Sequence, residues 1–481
     1  MCSYLQKGGH RVARTRWHSR HQQAGGEWMN SQFAEWRSRL PKIHPDHMRI
    51  ARGAARISIF VLLGRCAGAF KEVAVAYRFG TSGIVDAYQL TLALVSWMPA
   101  AAMTIFGIVL IPVFVELRQQ PLQAQAVFLG ELEAWVIAVG VGFSVLLFLC
   151  WPFAIHVLAG NLSPETIDLC RDMFTYMAPI GILMLASGTY GARMQSRERH
   201  INTLLEGLPA VFVLCFVLLS HKQVGTIALI WGSMGGYLAQ TLIGRWLLSR
   251  LDPIPIKLRL KTTAPEWRRV LVSARVLAVG QLIMCCTPLF DQFMAVQFGD
   301  GAVAKLGYAN RVLSLFLSMG ALAIGQATLP VFSDIVHSGD PCHARRTAVR
   351  WTILMFLCGT CVALGAAVFA PDLIGLAFQR GAFTAEDTAA VAQLFRWGQI
   401  QVPFYFSSLV LLTLSAGAGR YRQMSTIALA GVAAKVSGTM IFSHWFGIAG
   451  ILLGTALMHA TTLIIYARYA YTWSLSAQRK S

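Results

Sequence analysis

The chain is short of charge. Charged residues make up 13% of its 481 positions, against roughly 25% in an ordinary globular protein. A soluble protein of this length could not cover its surface with so few. The sequence also has no GxxxxGK[ST] loop, which excludes nucleotide hydrolysis by that route. It has no HExxH, no GxSxG and no histidine cluster at metal spacing, so a soluble enzyme has little to stand on. The ten cysteines show no zinc spacing, and most lie in apolar runs (Cys66, Cys215, Cys285, Cys286, Cys358, Cys361). The Cys358-Gly-Thr-Cys361 pair falls mid-helix without a thioredoxin context and reads as packing. No cofactor and no metal are expected.

What the chain has in excess is apolar surface: 56% hydrophobic residues and a mean hydropathy of +0.55. That composition fits a polytopic membrane protein. Lys+Arg outnumber Asp+Glu by 41 to 22, a net charge of +19. In a soluble protein that excess would point to nucleic acid. In a membrane protein it follows from the enrichment of cationic residues in cytoplasmic loops, and no nucleic-acid partner is expected.

Residues 1–53 differ from the rest. They carry ten Lys/Arg, from Lys7 to Arg52, against Glu27, Glu35 and Asp46. No apolar stretch of signal-peptide type follows them. They read as a basic cytoplasmic tail, either a disordered one or an arm on anionic lipid headgroups. Met48-Arg-Ile-Ala-Arg would itself open a membrane protein.

Beyond the tail, apolar runs long enough to span recur to the C-terminus. A span needs about 20 such residues. Twelve are expected, centred near Leu62, Met98, Val141, Ile180, Val211, Met234, Met284, Leu317, Val362, Phe406, Ala433 and Leu457. Several contain proline (Pro99, Pro112, Pro179, Pro209, Pro288, Pro403). Such breaks persist in a bilayer only where the freed backbone faces protein or a wet cavity. Alternate loops carry the cations. The 6–7 loop holds Arg245, Arg250, Lys257, Arg259, Lys261, Arg268, Arg269 and Arg275; the 4–5 loop holds Arg193, Arg197 and Arg199; the 10–11 loop holds Arg420 and Arg422. The opposite loops are acidic: Glu165, Asp168 and Asp172, then Asp372, Glu386 and Asp387. Both termini should therefore be cytoplasmic.

The chain resembles itself at an offset of about 220 residues. Phe79-Gly80 recurs as Phe298-Gly299, and Pro112-Val113-Phe114 as Pro330-Val331-Phe332. Gly160, Ser163 and Glu165 match Gly381, Thr384 and Glu386. Arg197-x-Arg199 with Thr203 matches Arg420-x-Arg422 with Thr426, and Thr241-Leu242-Ile243 matches Thr462-Leu463-Ile464. Five matches in order indicate a duplication. The expected fold is an all-α polytopic membrane protein with about twelve transmembrane helices, in two parallel six-helix repeats around a central cavity. The boundaries read as an N-lobe over 54–250, a basic cytoplasmic linker over 251–270, a C-lobe over 271–472 and a short tail over 473–481. Parallel repeats about an axis along the membrane normal are a transporter architecture. A duplicated scaffold without transport is the alternative.

Charge inside the spans is the remaining chemical signal, because each such residue costs at least roughly 2.5–3.5 kcal/mol. Span 1 carries Arg65, Lys71 and Glu72. At about 100° per residue, Arg65 and Glu72 share a face and Lys71 points about 120° away. Asp86 begins span 2. Span 7 carries Asp291, the repeat partner of Glu72; span 8 carries Arg311, span 10 Arg396 and span 11 Lys435. One reading is a cationic cavity in which Arg65, Lys71 and Arg311 face an anionic head group. Guanidinium pairs with a diphosphate in bidentate fashion and keeps its proton. The other is internal glue, with Arg65 neutralising Glu72 and Arg311 neutralising Asp291. Glu72 and Asp291 are also candidates for a coupling cation, H+ or Na+.

Three stretches resemble the MurJ/MviN family of lipid-linked saccharide flippases, within the multidrug/oligosaccharidyl-lipid/polysaccharide exporter superfamily. They are Leu63-Gly64-Arg65 through Leu110-Ile111-Pro112-Val113-Phe114, Tyr308-Ala309-Asn310-Arg311 through Leu329-Pro330, and Phe378-Gln379-Arg380-Gly381-Ala382-Phe383-Thr384. The similarity runs in order over about 55–470. It implies two six-helix lobes, transport of a polyprenyl-diphosphate-linked saccharide across the bacterial inner membrane, and no enzymatic step. It places substrate-binding residues at the cations Arg65, Lys71 and Arg311 and at the helix-2 aspartate, Asp86. Two features depart from family members that carry lipid II. Trp97-Met98-Pro99-Ala100 stands where an arginine pair is usual, and Phe106-Gly107-Ile108-Val109 where a Glu-Gly-Ala-Phe run is usual. The chain also ends after twelve spans, where many members have fourteen. Lipid II and an exopolysaccharide or O-antigen repeat unit therefore both remain as cargo. The alternatives are a cation-coupled multidrug exporter of the same superfamily and a membrane scaffold for cell-envelope enzymes. Expected partners are the lipid-linked saccharide, anionic lipids, and glycosyltransferases or polymerases of the same pathway. The drive would be the membrane potential or an ion gradient.

Overall fold

The computed structural model describes residues 45–158, 161–197, 199, 201–220, 225–337 and 341–478. Contacts divide the chain into Met1–Ser58 and Ile59–Ser481. Most of the basic tail over 1–53 lies outside the described residues.

Among the described residues all regular structure is helical. The first half runs α1 (Pro45–Phe79), α2 (Gly83–Leu117), α3 (Leu122–Leu158), α4 (Pro164–Met177), α5 (Ile180–Gln195), α6 (Ile201–Leu205), α7 (Leu208–Leu219) and α8 (Ile227–Leu251). The second half runs α9 (Glu266–Val296), α10 (Ala302–His337), α11 (Pro341–Val368), α12 (Ala370–Phe378), α13 (Ala385–Gln399), α14 (Gln401–Gly417), α15 (Tyr421–Phe446) and α16 (Ala449–Gln478). Eight segments are long and apolar enough to cross a membrane, or ten with two bent pairs counted as one span each. The other two of the twelve expected spans fall on the long helices α1 and α10, which carry Arg65, Lys71, Glu72 and Arg311 and are not among those segments. Where the linker was expected, α8 continues to Leu251 and α9 begins at Glu266. The C-terminal tail from 473 is helical to Gln478.

The prolines fall where a helix tolerates them. Pro179 sits at the break between α4 and α5, which bends by 44°. Pro209 and Pro403 lie in first turns, where the missing N–H has no intrahelical partner to lose. Pro99 and Pro112 remain inside α2, and Pro288 inside α9. Large apolar side chains on outer faces are exposed, among them Phe148, Leu149 and Phe153 of α3 and Leu357 and Leu364 of α11. Contiguous apolar exposure on this scale suits lipid as the solvent.

The duplication is visible in backbone geometry. Gly80 and Gly299 end α1 and α9 in equivalent turns, with φ of 57° and 85°. Only glycine enters that region without strain. Ser163 and Thr384, another matched pair, cap α4 and α13. Thr384 and Asp387 form a capping box.

At the end of the bundle carrying the acidic loops, the halves are fastened together. Asp86 accepts hydrogen bonds from the backbone of Gly301 and, at 2.6 Å, of Ala304, so a first-half carboxylate caps a second-half helix. Tyr308 donates to the Gly80 carbonyl at 3.1 Å. Thr81 donates to Asp387 at 2.5 Å, and the Ala382 N–H to the Tyr77 carbonyl at 2.8 Å. The loop 378–384 supplies this last contact. A Cβ on its Gly381 would stand 2.3 Å from the Tyr77 carbonyl oxygen, so only glycine allows the approach. On the other side of the axis, Asn161 reaches the Gln297 carbonyl and the Ser163 N–H reaches Asp300 at 3.2 Å.

Candidate functional site

Two adjoining cavities lie between the halves, on the basic-loop side of that seal. The first encloses about 610 Å³ and the second about 500 Å³. Both are bordered by Glu72, Arg311 and Ser314. Glu72 on α1 lies seven residues before the helix end, and Arg311 on α10 nine residues after its start. At about 1.5 Å per residue both sit roughly 10–14 Å from the sealed end.

The charges at this border form a short chain. Glu72 accepts from Lys71 at 2.8 Å and from Arg311 at 2.9 Å. Lys71 and Glu72 are buried, whereas the Arg311 side chain is 60% exposed to the cavities. Lys71 and Glu72 leave the helix about 100° apart, but the long lysine stem brings its ammonium back to the carboxylate. Arg65 lines the second cavity one and a half turns or more away, is exposed, and donates to the Ser318 hydroxyl of α10 at 2.7 Å.

The structure thus brings Arg65, Lys71, Glu72 and Arg311 to one place. It does not pair them as the internal-glue reading would. Glu72 is held by Lys71 and Arg311 rather than by Arg65. Asp291 lines the first cavity and binds Lys435 of α15 at 2.7 Å, not Arg311. The repeat partners Glu72 and Asp291 therefore each carry a buried lysine ammonium. Asp86 borders neither cavity; it is 1% exposed and serves the seal. Arg396 donates to the Ala367 carbonyl at 3.0 Å, away from both cavities.

Several wall residues carry chemistry that the charge pattern alone missed. Gln89, Gln292 and Asn310 present amides to the first cavity, beside Tyr88 and Trp97. Trp97 belongs to the stretch that replaces the usual arginine pair, so this wall is aromatic and amide-rich rather than cationic. Two acceptor atoms there, Asp291 Oδ1 and Gln292 Oε1, are buried without a hydrogen-bond partner among the described residues. The second cavity adds Thr203, Ser318 and the exposed Glu206, whose carboxylate accepts from Asn202 at 2.9 Å. The signal in each case is a polar side chain inside an apolar run. No group of three or more potential metal-ligating side chains occurs among the described residues.

Comparison with known proteins agrees with this arrangement. A probable lipid II flippase MurJ of Bdellovibrio bacteriovorus is 24% identical over 445 residues, covering 87% of this chain and 82% of that protein. The solved structure of a lipid II flippase MurJ in an inward closed conformation superposes with a TM-score of 0.73 at 15% identity, covering 88% of this chain and 91% of that one. An inward-facing multidrug resistance MATE transporter of the MOP superfamily gives 0.69 at 11% identity, covering 87% and 96%. The family model described as lipid II flippase MurJ matches residues 75–480, and the chain belongs to that family.

Proposed function

We propose that this protein moves a polyprenyl-diphosphate-linked saccharide across the bacterial inner membrane by alternating access, with its basic loops and both termini in the cytoplasm. The observation that carries the reading is the placement of Arg65 and Arg311 in cavities between two duplicated half-bundles, inside an apolar shell. Two exposed guanidinium groups, set roughly 10 Å apart in depth along the facing helices, suit a diphosphate-bearing head group, which loses its hydration on entering a low-dielectric region and needs compensating charge. The amides and the aromatic rings of the first cavity suit sugar hydroxyls. The lipid tail stays in the bilayer. With the acidic-loop end sealed, the head group enters from the cytoplasmic side.

The drive we propose is the membrane potential. Both carboxylates that could take a coupling cation already hold a tethered ammonium, Lys71 on Glu72 and Lys435 on Asp291. Outward movement of an anion is favoured by an inside-negative potential, at about 2.3 kcal/mol per charge per 100 mV. The same pairing disfavours a multidrug exporter, which would need acidic side chains free for cationic cargo. Glycosyltransferases or polymerases of the cargo's pathway would be the protein partners.

The test is reconstitution into vesicles with fluorescent lipid II and, separately, a polyprenyl-diphosphate-linked exopolysaccharide repeat unit. Potential-dependent translocation of either supports the reading and names the cargo. Translocation of neither, in vesicles that hold a potential, contradicts it.

A further inference from the structure

The segment joining the two halves is two-faced. From Pro253 to Lys261 it has no regular secondary structure, and exposure alternates at its start: Pro253, Pro255 and Lys257 are exposed while Ile254 and Ile256 are half-buried, as along an extended chain. Even positions are Ile254, Ile256, Leu258 and Leu260; odd positions from 257 are Lys257, Arg259 and Lys261. In an extended chain successive side chains point to opposite sides, so one side is apolar and the other cationic. Ile254 and Ile256 pack on the first-half core around Phe114 and Phe128. Leu258 and Leu260 continue the same side but have no protein beneath them, and are 59% and 66% exposed. No carboxylate among the described residues pairs with Lys257, Arg259 or Lys261.

The segment is fastened at a definite level. Arg259 donates its N–H to the Gly130 carbonyl at 3.3 Å. Glu131 of α3 is fully buried and accepts from the Thr263 N–H at 3.0 Å, the Ala264 N–H at 3.2 Å and the Trp267 indole at 2.8 Å. Trp135, one turn further along α3, donates its indole N–H to the Lys261 carbonyl at 3.2 Å. The outward face of α3 beyond Trp135 is apolar, with Ile137, Val139 and Val141 exposed. Tryptophan with a hydrogen-bonded indole at the start of such a face marks the boundary between headgroups and hydrocarbon. Irregular backbone is not tolerated deeper than this against lipid.

We propose that residues 253–263 form an interfacial strap that binds anionic phospholipid headgroups. Leu258 and Leu260 dip toward the acyl chains, and Lys257, Arg259 and Lys261 hold the headgroups. Glu131 is the positioning residue that keeps the strap at this depth. The site is separate from the cavities; only the assignment of the lipid to the cytoplasmic leaflet rests on the orientation proposed above.

Native mass spectrometry of the full chain, equilibrated with phosphatidylglycerol or phosphatidylcholine, reads this directly without any transport assay. The wild-type protein should retain phosphatidylglycerol preferentially. The K257Q/R259Q/K261Q variant should lose that preference by about tenfold or more, since each cation near a charged surface contributes separately. Equal retention of both lipids by wild type, or an unchanged preference in the triple variant, overturns the proposal; equal retention would leave the strip to an acidic protein surface. Should the variant fail to fold, hydrogen exchange of 253–263 in wild-type protein decides. Stronger protection in phosphatidylglycerol nanodiscs than in phosphatidylcholine nanodiscs is the expected result, and equal protection contradicts it.

Discussion

Lys71, Arg65 and Arg311 are all cations on facing helices, but the structure gives them different work. Lys71 is buried and matched to Glu72, so its positive charge is already spent within the protein. Arg65 and Arg311 keep exposed guanidinium groups. Removing one partner of a buried pair costs about 3–5 kcal/mol, because the other charge stays buried. Arg311 still reaches Glu72, so Lys71→Met should fall at the lower end of that range and lower the unfolding temperature in detergent. The double variant Lys71→Met/Glu72→Leu should recover most of the loss. A double variant no more stable than the single one would show that the two side chains do not act as a buried pair. These pairings were only partly legible in the sequence. A helical wheel separates Lys71 from Glu72 and puts Arg65 beside it, because it counts Cβ directions and ignores the reach of long stems. Lys435 and Asp291 lie 144 residues apart, and nothing local announces their contact.

The elements themselves were largely written in the chain. Apolar runs gave the spans, and the repeated Phe-Gly turn and the Ser163/Thr384 caps gave the two-fold relation, since those positions require a particular backbone. The joints between elements were not. Asp86 looked like an intramembrane charge facing cargo, but it lies in the first turn of α2 and caps α10 instead. Glu131 has partners that lie more than 130 residues away, and no local pattern marks them. The seal around Asp86, at the acidic-loop end, must open if the cargo is to leave on the far side. Thr81 and Asp387 face each other across it at 2.5 Å. Replacing both with cysteine places two thiols across the seal, which mild oxidant joins when their Cα atoms come within about 7 Å. The oxidised Thr81→Cys/Asp387→Cys protein should stop translocating and recover with reductant. Full activity while cross-linked would mean that this end does not move.

For the whole molecule, the account is that a duplicated apolar bundle holds an excess of cationic side chains in the cavities between its halves, Arg65 and the Arg311 that shares Glu72 with Lys71, and that these choose a phosphate-bearing cargo. The family relation makes a flippase the expected activity, and the wall around Trp97 that the proposal gives to the sugar is lined by Tyr88, Gln89, Gln292 and Asn310. Arg65 contacts only the Ser318 hydroxyl among the described residues, and Arg311 is more than half exposed, so neither is central to stability. The most direct measurement is translocation of a polyprenyl-diphosphate-linked saccharide by reconstituted Arg65→Gln/Arg311→Gln protein, with its unfolding temperature recorded alongside. The account predicts a loss of at least about 100-fold in rate, as expected when two charge-assisted phosphate contacts worth about 1.5–3 kcal/mol each disappear, in a protein that unfolds within a few degrees of wild type. Translocation at the wild-type rate by the folded double variant would contradict it.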